Sequence, residues 1–194
     1  MKFIKTKIPE IIEIRPQVFG DERGYFYESF RLDEFEKQIG KVNFVQHNES
    51  KSSYGVLRGI HFQKPPYSQS KLVRAIQGRV LDVAVDIRVG APTYGEYVGV
   101  VLDSEIKNQL WVPQGFAHGF AVLSKDSIFS YMVDNYYAPE HDSGIMWNDE
   151  KINVNWRIEP NDIILSEKDK IQKKFGSETD FNYQQFTTEV LYNK

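Results

Sequence analysis

The stretch Trp111-Val-Pro113-Gln-Gly115-Phe-Ala-His118 joins a short apolar run, a Pro-Gln-Gly turn and an alternating run with one His, and Arg58-Gly-Ile-His61-Phe-Gln63 is its counterpart upstream. Short alternating runs bracketed by turn residues predict strands, so these two stretches set the expectation of an all-β chain. Each contributes a single imidazole, and no Glu follows His61 within the next few residues. The ligand count that a tetrahedral or octahedral metal needs is therefore not reached, and a site without metal is expected. What remains is a strand-borne His61 with Lys71 ten residues on, side chains suited to moving protons.

The same pattern extends on both sides. From 44 to 158, short β-branched and aromatic runs are separated by turn signals at Gly78, Gly90-Ala-Pro92, Asp103-Ser104 and Pro139-Glu-His-Asp-Ser-Gly144, which predicts a sandwich or barrel. Period-two alternation is clearest over 80–89. There Leu81, Val83, Val85 and Ile87 share one face, while Asp82, Ala84, Asp86 and Arg88 share a polar face that suits a cavity wall. Helical signals are confined to 31–40 and to 166–175, the latter opened by Ser166 as a candidate N-cap, and both are read as peripheral. Repeats, low-complexity tracts and linkers are missing, so 1–194 is read as one domain. The segment 176–194 is mostly polar with a few aromatics and is read either as a frayed end or as a surface for another subunit.

At 194 residues the chain is long enough for one sizeable core. A net charge of −3 argues against a nucleic-acid-binding surface. No Cys is present, consistent with a reducing compartment, and no apolar run reaches signal-peptide or membrane-span length. A cytoplasmic protein with neither nucleic-acid nor membrane partners is expected.

Several residues admit both a functional and an ordinary structural role. Strict strand parity puts Leu57, Gly59, His61 and Gln63 on one face and Arg58, Ile60 and Phe62 on the other. His61 is then either a core imidazole or a base. Lys71 opens Lys71-Leu-Val-Arg74, as a solvated edge charge or as a cation for an oxyanion. Asp169 stands three residues after Ser166, a spacing that favours a capping box. Tyr131 reads as a half-buried strand aromatic, and His118 as a core His with Asp82 as acceptor. The run Asp21-Glu-Arg23-Gly24-Tyr-Phe26-Tyr-Glu28 suits recognition of a base plus phosphate, and equally an amphipathic strand.

Taken in order, Asp21-Glu-Arg23-Gly24-Tyr-Phe26, Val45-Gln46-His-Asn48, Val56-Leu-Arg58-Gly-Ile-His61-Phe-Gln63, Lys71-Leu-Val-Arg74, Leu81-Asp82-Val-Ala-Val-Asp86, the 113–120 element and Leu165-Ser-Glu-Lys-Asp169 resemble the dTDP-4-dehydrorhamnose 3,5-epimerases. These are metal-free cupins, in which the usual His-x-His of the fold is replaced, here by His61-Phe-Gln63. The resemblance covers 1 to about 170. It implies an all-β, cupin-type double-stranded β-helix, or jelly roll, with a few short peripheral helices. It further implies a cofactor-free epimerase that inverts C3 and C5 of a thymidine-diphosphate 4-keto-6-deoxyhexose for rhamnose synthesis.

By the same resemblance His61 is the general base held by Asp169, Tyr131 the opposing acid and Lys71 the cation facing the enolate. His118 stands at the substrate with Asp82 behind it. Arg58, Gln46, Asn48 and Tyr137 bind the nucleotide sugar, and Arg23, Phe26 and Glu28 reach it from a partner subunit, which implies a homodimer. A carboxylate engaged with His61 is expected to leave the capping role only partly filled.

Three positions depart from the common pattern of the family: Ser70 where Gly is frequent, His47 where Asp is common and Met132 where Lys is common. They are expected to bear on substrate preference. Parity also sets a test, because Arg58 and His61 reach one substrate only if Gly59 introduces a bulge or kink. Two other readings stay open at this point, a single-position epimerase and a jelly-roll sugar-nucleotide-binding module without catalysis. The presence of all four proton-handling side chains counts against the last.

Overall fold

The computed structural model describes residues 1–177 and 180–192. Among the described residues, thirteen strands follow in chain order: β1 (Lys2–Lys5), β2 (Ile12–Arg15), β3 (Phe19–Asp21), β4 (Gly24–Phe26), β5 (Gln46–Ser53), β6 (Leu57–Gln63), β7 (Lys71–Gln77), β8 (Arg79–Asp86), β9 (Tyr97–Asp103), β10 (Gln109–Val112), β11 (Phe116–Val122), β12 (Asp126–Val133) and β13 (Asp142–Gly144). They form two antiparallel sheets, β1-β2-β10-β7-β12-β5 and β13-β6-β11-β8-β9, with β3 and β4 as a separate ribbon. The expected all-β jelly roll of the cupin type is the observed architecture. The first four strands, within residues 2–26, were not signalled by the sequence pattern. They are short, and Lys, Gly and exposed aromatics interrupt their alternation.

Side-chain alternation sorts the core into three layers. Between the sheets lie Val73 and Ala75 of β7, Leu110 and Val112 of β10, Val80 and Ala84 of β8, Phe116, Phe120 and Val122 of β11, and Phe129 of β12. Leu81, Val83 and Val85 point the other way and are covered by Ile145, Ile152, Trp156, Phe181 and Phe186. Behind the other sheet, Leu72, Trp111 and Ile14 are covered by Phe35 and Ile39 of α1 (Leu32–Gln38) and by Tyr192 of α2 (Thr188–Tyr192). Each such fully buried side chain contributes about 1.5–3 kcal/mol, so both outer layers are part of the fold's stability.

The predicted polar face of β8 divides in two. Asp82 faces the space between the sheets, whereas Asp86 is committed to Arg88, which bonds both of its oxygens at 2.9 and 2.7 Å and lies over the Phe116 ring.

Two expectations are corrected. The helix predicted over 166–175 is a single 3-10 turn, Asp169–Ile171, followed by extended chain that bridges Lys173 to Ile145. No apolar stripe is available there to dock a longer helix, and Ile171 is 81 % exposed. Nor is the described part of the C-terminal segment frayed. Phe181, Phe186 and Tyr192 are buried against their own chain, and Asn182 bridges Val89. Its aromatics outweigh its polar average. The helix expected over 31–40 is present as α1. Among the described residues, no helix is long and apolar enough to cross a membrane.

Candidate active site

The bulge that parity required is present in β6. Opposite β11, Arg58 pairs with Phe120 and His61 with His118, so three steps along β6 match two along β11 and the register shifts between them. Gly59 occupies the shift, at a φ of +134° that L side chains rarely adopt, and the Gly59–Ile60 peptide is cis. A Cβ on Gly59 would lie 2.5 Å from the Gly119 Cα. Phase is thereby reversed: Leu57, Ile60 and Phe62 face the outer layer, while Arg58 and His61 both face the space between the sheets.

A cavity of about 470 Å³ opens there, and its lining includes Arg58, His61, His118, Lys71, Tyr131 and Asp169. His61, Arg58 and His118 come from the five-stranded sheet, whereas Tyr131 and Lys71 come from the facing six-stranded one. The four residues expected to handle protons therefore share one space.

His61 Nε2 lies 2.5 Å from Asp169 Oδ1, across 108 residues of chain. The other carboxylate oxygen, Oδ2, accepts the Ser166 hydroxyl at 2.7 Å, and Ser166 Oγ accepts the Asp169 N–H at 3.2 Å. The two expected roles of Asp169 thus coexist in part, as expected: with Oδ1 on His61, Oδ2 reaches the Ser166 hydroxyl and not the Ser166 backbone N–H that a full capping box would engage. Burial by itself would raise the Asp169 carboxyl, but the bonds from His61 and Ser166 outweigh it and hold the group below the ordinary carboxylate value. With Nε2 committed to this carboxylate, Nδ1 is the ring nitrogen left to take a proton.

Lys71, at the first position of β7, is half-buried on the face that carries Val73 and Ala75, not solvated at an edge. Burial pushes its amine down to about 8, against the pull of Asp82 and Asp142. A cation so weakly held gains from any anion that enters. Burial raises the Tyr131 phenol, with Arg58 and Asn48 opposing, so at neutral pH it carries a proton to give. His118 Nε2 meets both Asp82 oxygens at 3.0 and 2.9 Å, and burial lowers its pKa despite that pairing. The ring is neutral, with its Nε2–H donated to Asp82.

Around this centre, Arg58 donates to Ser52 Oγ at 3.3 and 3.2 Å, and Asn48 stands opposite Tyr131 in the β5–β12 register. Gln46 donates to Asn48 Oδ1 at 2.8 Å and accepts the Tyr137 N–H at 3.1 Å. The Tyr137 hydroxyl donates to Asp142 at 3.1 Å. Arg23, Phe26 and Glu28 do not line the cavity of their own chain. Arg23 pairs with Asp21 at 2.5 Å on the β3–β4 ribbon, whose Phe26 is 67 % exposed, and Glu28 follows the ribbon 4.0 Å from Arg31.

Some features went unread in the sequence. Lys168, which lines the cavity and pairs with Asp142, has no pattern to announce it. Ser50 and Ser52 continue the period-two row of Gln46 and Asn48 along β5, an alternation that could have announced them. His47 and Met132, two of the three departures, face each other on the outer side of their sheet, where His47 Nε2 meets Ser130 Oγ at 2.7 Å. That position separates them from the cavity. Among the described residues, no group of three His, Cys, Asp or Glu side chains converges to hold a metal ion.

Comparisons with known proteins bear on this arrangement. A family model described as dTDP-4-dehydrorhamnose 3,5-epimerase matches residues 5–177. The dTDP-4-dehydrorhamnose 3,5-epimerase of Shigella flexneri is 52 % identical over 176 residues, covering 90 % of this chain and 96 % of that one. Among solved structures, the enzyme of that name from Elizabethkingia anophelis superposes with a TM-score of 0.88 at 47 % identity, covering 93 % of this chain and 99 % of that one. The dTDP-6-deoxy-D-glucose-3,5-epimerase of Legionella pneumophila, solved in complex with dTDP-4-keto-L-rhamnose, gives 0.90 at 44 % identity, covering 94 % and 98 %. The match spans β2 to β13, the His61–Asp169 pair and every residue that lines the cavity, and on that extent the chain belongs to the dTDP-4-dehydrorhamnose 3,5-epimerase family.

Proposed function

We propose that this chain is an isomerase that inverts C3 and C5 of a thymidine-diphosphate 4-keto-6-deoxyhexose, yielding the dTDP-4-dehydro-L-rhamnose configuration on the way to dTDP-L-rhamnose, as a single cytoplasmic domain without cofactor. The observation that carries the reading is the placing of two proton carriers on facing sheets, the His61–Asp169 pair on one side and Tyr131 on the other, with Lys71 lining the same space.

The chemistry follows from the ketone at C4, which makes the C3 and C5 hydrogens acidic. His61 Nδ1 removes one of them, and the electron pair of the broken C–H bond moves onto the C4 oxygen as an enolate. The imidazolium that forms is stabilised by Asp169. Lys71 faces the developing negative charge, and Tyr131 returns a proton from the opposite side, so the centre inverts. Repetition at the second carbon completes the product. Arg58, Gln46, Asn48 and Tyr137 hold the nucleotide sugar, with His118 and Asp82 beside the ring. Arg23, Phe26 and Glu28, exposed on their ribbon, serve the site of a second copy in a homodimer. Neither nucleic acid nor membrane takes part.

Proton NMR of dTDP-4-keto-6-deoxyglucose with the enzyme in heavy water tests the reading. Deuterium is expected at both C3 and C5, with inversion. Exchange at one position alone would reduce the activity to a single-position epimerase, and exchange at neither would overturn it.

A further inference from the structure

A polar cluster that the mechanism does not use lies directly behind Lys71. The residue before the lysine, Ser70, is fully buried at 0 % exposure. Its backbone N–H donates to Asp134 Oδ1 at 2.7 Å, and its hydroxyl donates to Asp134 Oδ2. Asp134 follows Val133, which is the register partner of Lys71 across β7 and β12. On the other side Lys71 pairs with Val112 of β10, and two residues further Gln114 donates its side-chain amide to Asp134 Oδ2 at 3.0 Å. The Gln114 N–H in turn donates to the Tyr192 hydroxyl at 3.0 Å, and the Tyr192 ring packs against Trp111 at 5.4 Å. Asp134 therefore ties together the ends of the three adjacent strands β10, β7 and β12 at the level of Lys71. The cluster is sealed by a segment beyond the residues that the family model matches.

A carboxylate is an expensive group to place here. Burial raises the Asp134 pKa, and the bonds from Ser70 and Gln114 oppose that rise only in part. Strand pairing alone already fixes β7 against both neighbours, so the clamp is not needed to form the sheet. What it adds is constraint on the first residue of β7, where a ladder is otherwise free to fray. That residue is the one whose ammonium must meet a charge that develops only during the reaction, and such a group loses effect steeply when misplaced.

We propose that Asp134 is a positioning residue for Lys71, acting through the two hydrogen bonds it accepts from Ser70. This rests on the role given to Lys71 above. The test is a double-mutant cycle on the full chain, with Asp134→Asn and Ser70→Ala each made in the parent and in Lys71→Ala. Deuterium exchange and inversion are measured at saturating and sub-saturating substrate, and thermal unfolding establishes that every variant is folded at the assay temperature.

In the parent, each change is expected to lower kcat by about 10- to 100-fold with KM within a factor of two. In Lys71→Ala, each should change kcat by less than twofold, because the group being positioned is gone. A fall of equal factor in both backgrounds, or an unchanged kcat in the parent, would overturn the proposal and leave Asp134 a structural residue. If Lys71→Ala itself turns over like the parent, the role of Lys71 is what fails, and the positioning proposal falls with it.

Discussion

Replacing Lys71 by Met is expected to make the protein more stable while disabling it. The amine is half-buried and its pKa falls from 10.5 to about 8 in the fold. A tenfold change in a protonation constant corresponds to about 1.4 kcal/mol, so holding the charged form there costs roughly 3 kcal/mol at pH 7. Partial access to solvent brings this nearer about 2 kcal/mol. Met fills a similar volume with no charge to desolvate, so the variant should gain about 2 kcal/mol, or roughly 1 M in urea midpoint at fixed protein concentration.

The sign is set by a folded pKa below the unfolded one. The penalty is present in full below pH 8 and fades as pH rises through 8 towards 10.5, so the gap between variant and parent is widest at pH 7 and closes by about pH 10.5. Urea unfolding of both proteins across that range measures it. A Met variant less stable than the parent at pH 7, or a gap that does not change with pH, would refute the account of Lys71 as a charge held for the substrate. Turnover should fall by about 10²–10³-fold, as for loss of an oxyanion donor.

His61→Ala should lower epimerisation by about 10²–10⁴-fold while substrate affinity, measured by calorimetry, is nearly kept. Asp169→Ala should be comparably severe and non-additive with it; full activity in Asp169→Ala would reduce that residue to the cap it forms with Ser166. Tyr131→Phe should still form the enolate and return the proton to the face it left, so deuterium enters faster than the centre inverts, and inversion at the parent rate would remove Tyr131 as the acid. Exhaustive chelation should leave the rate unchanged, and a loss restored by one divalent ion would contradict a mechanism carried by side chains alone.

The sandwich was legible because β-branched alternation between turns dominates 44–158, and much of the candidate site's lining was legible because the family resemblance gave His61, Lys71, Tyr131 and Asp169, which share one cavity. Parity arithmetic went further: it made a bulge or kink at Gly59 the condition for Arg58 and His61 to share a face, and the register of β6 shifts there. The failures have physical causes. A Ser166 three residues before Asp169 looks like a helix start, yet the same two bonds close a single 3-10 turn, and nothing local distinguishes them. The C-terminal segment is polar on average, and its docking rests on Phe181, Phe186 and Tyr192, whose partners lie far away in sequence. Ser70 was legible only as a departure from the family pattern, and its bonds to Asp134 were not, because that partner is 64 positions away.

The His61–Asp169 bond closes a loop of 108 positions onto a segment with little structure of its own. Residues 163–171 are held to the body by the Val56–Ile164 bridge, by two backbone bonds of Ile164, to the Leu57 N–H at 3.0 Å and to the Gly55 carbonyl at 2.9 Å, by the Lys168–Asp142 pair, by the packing of Ile163 and Leu165 on the outer layer and by Asp169 itself, with Ile164 and Ile171 largely in water. Opening this stretch breaks few contacts compared with parting the sheets, so it belongs to the low end of the molecule's local unfolding free energies. Enzymatic competence and the integrity of the sandwich are therefore separate transitions. On warming or in mild denaturant the chain loses its base pair first, and amide hydrogen exchange over 163–171 should quicken in step with inactivation while β8 and β11 remain protected.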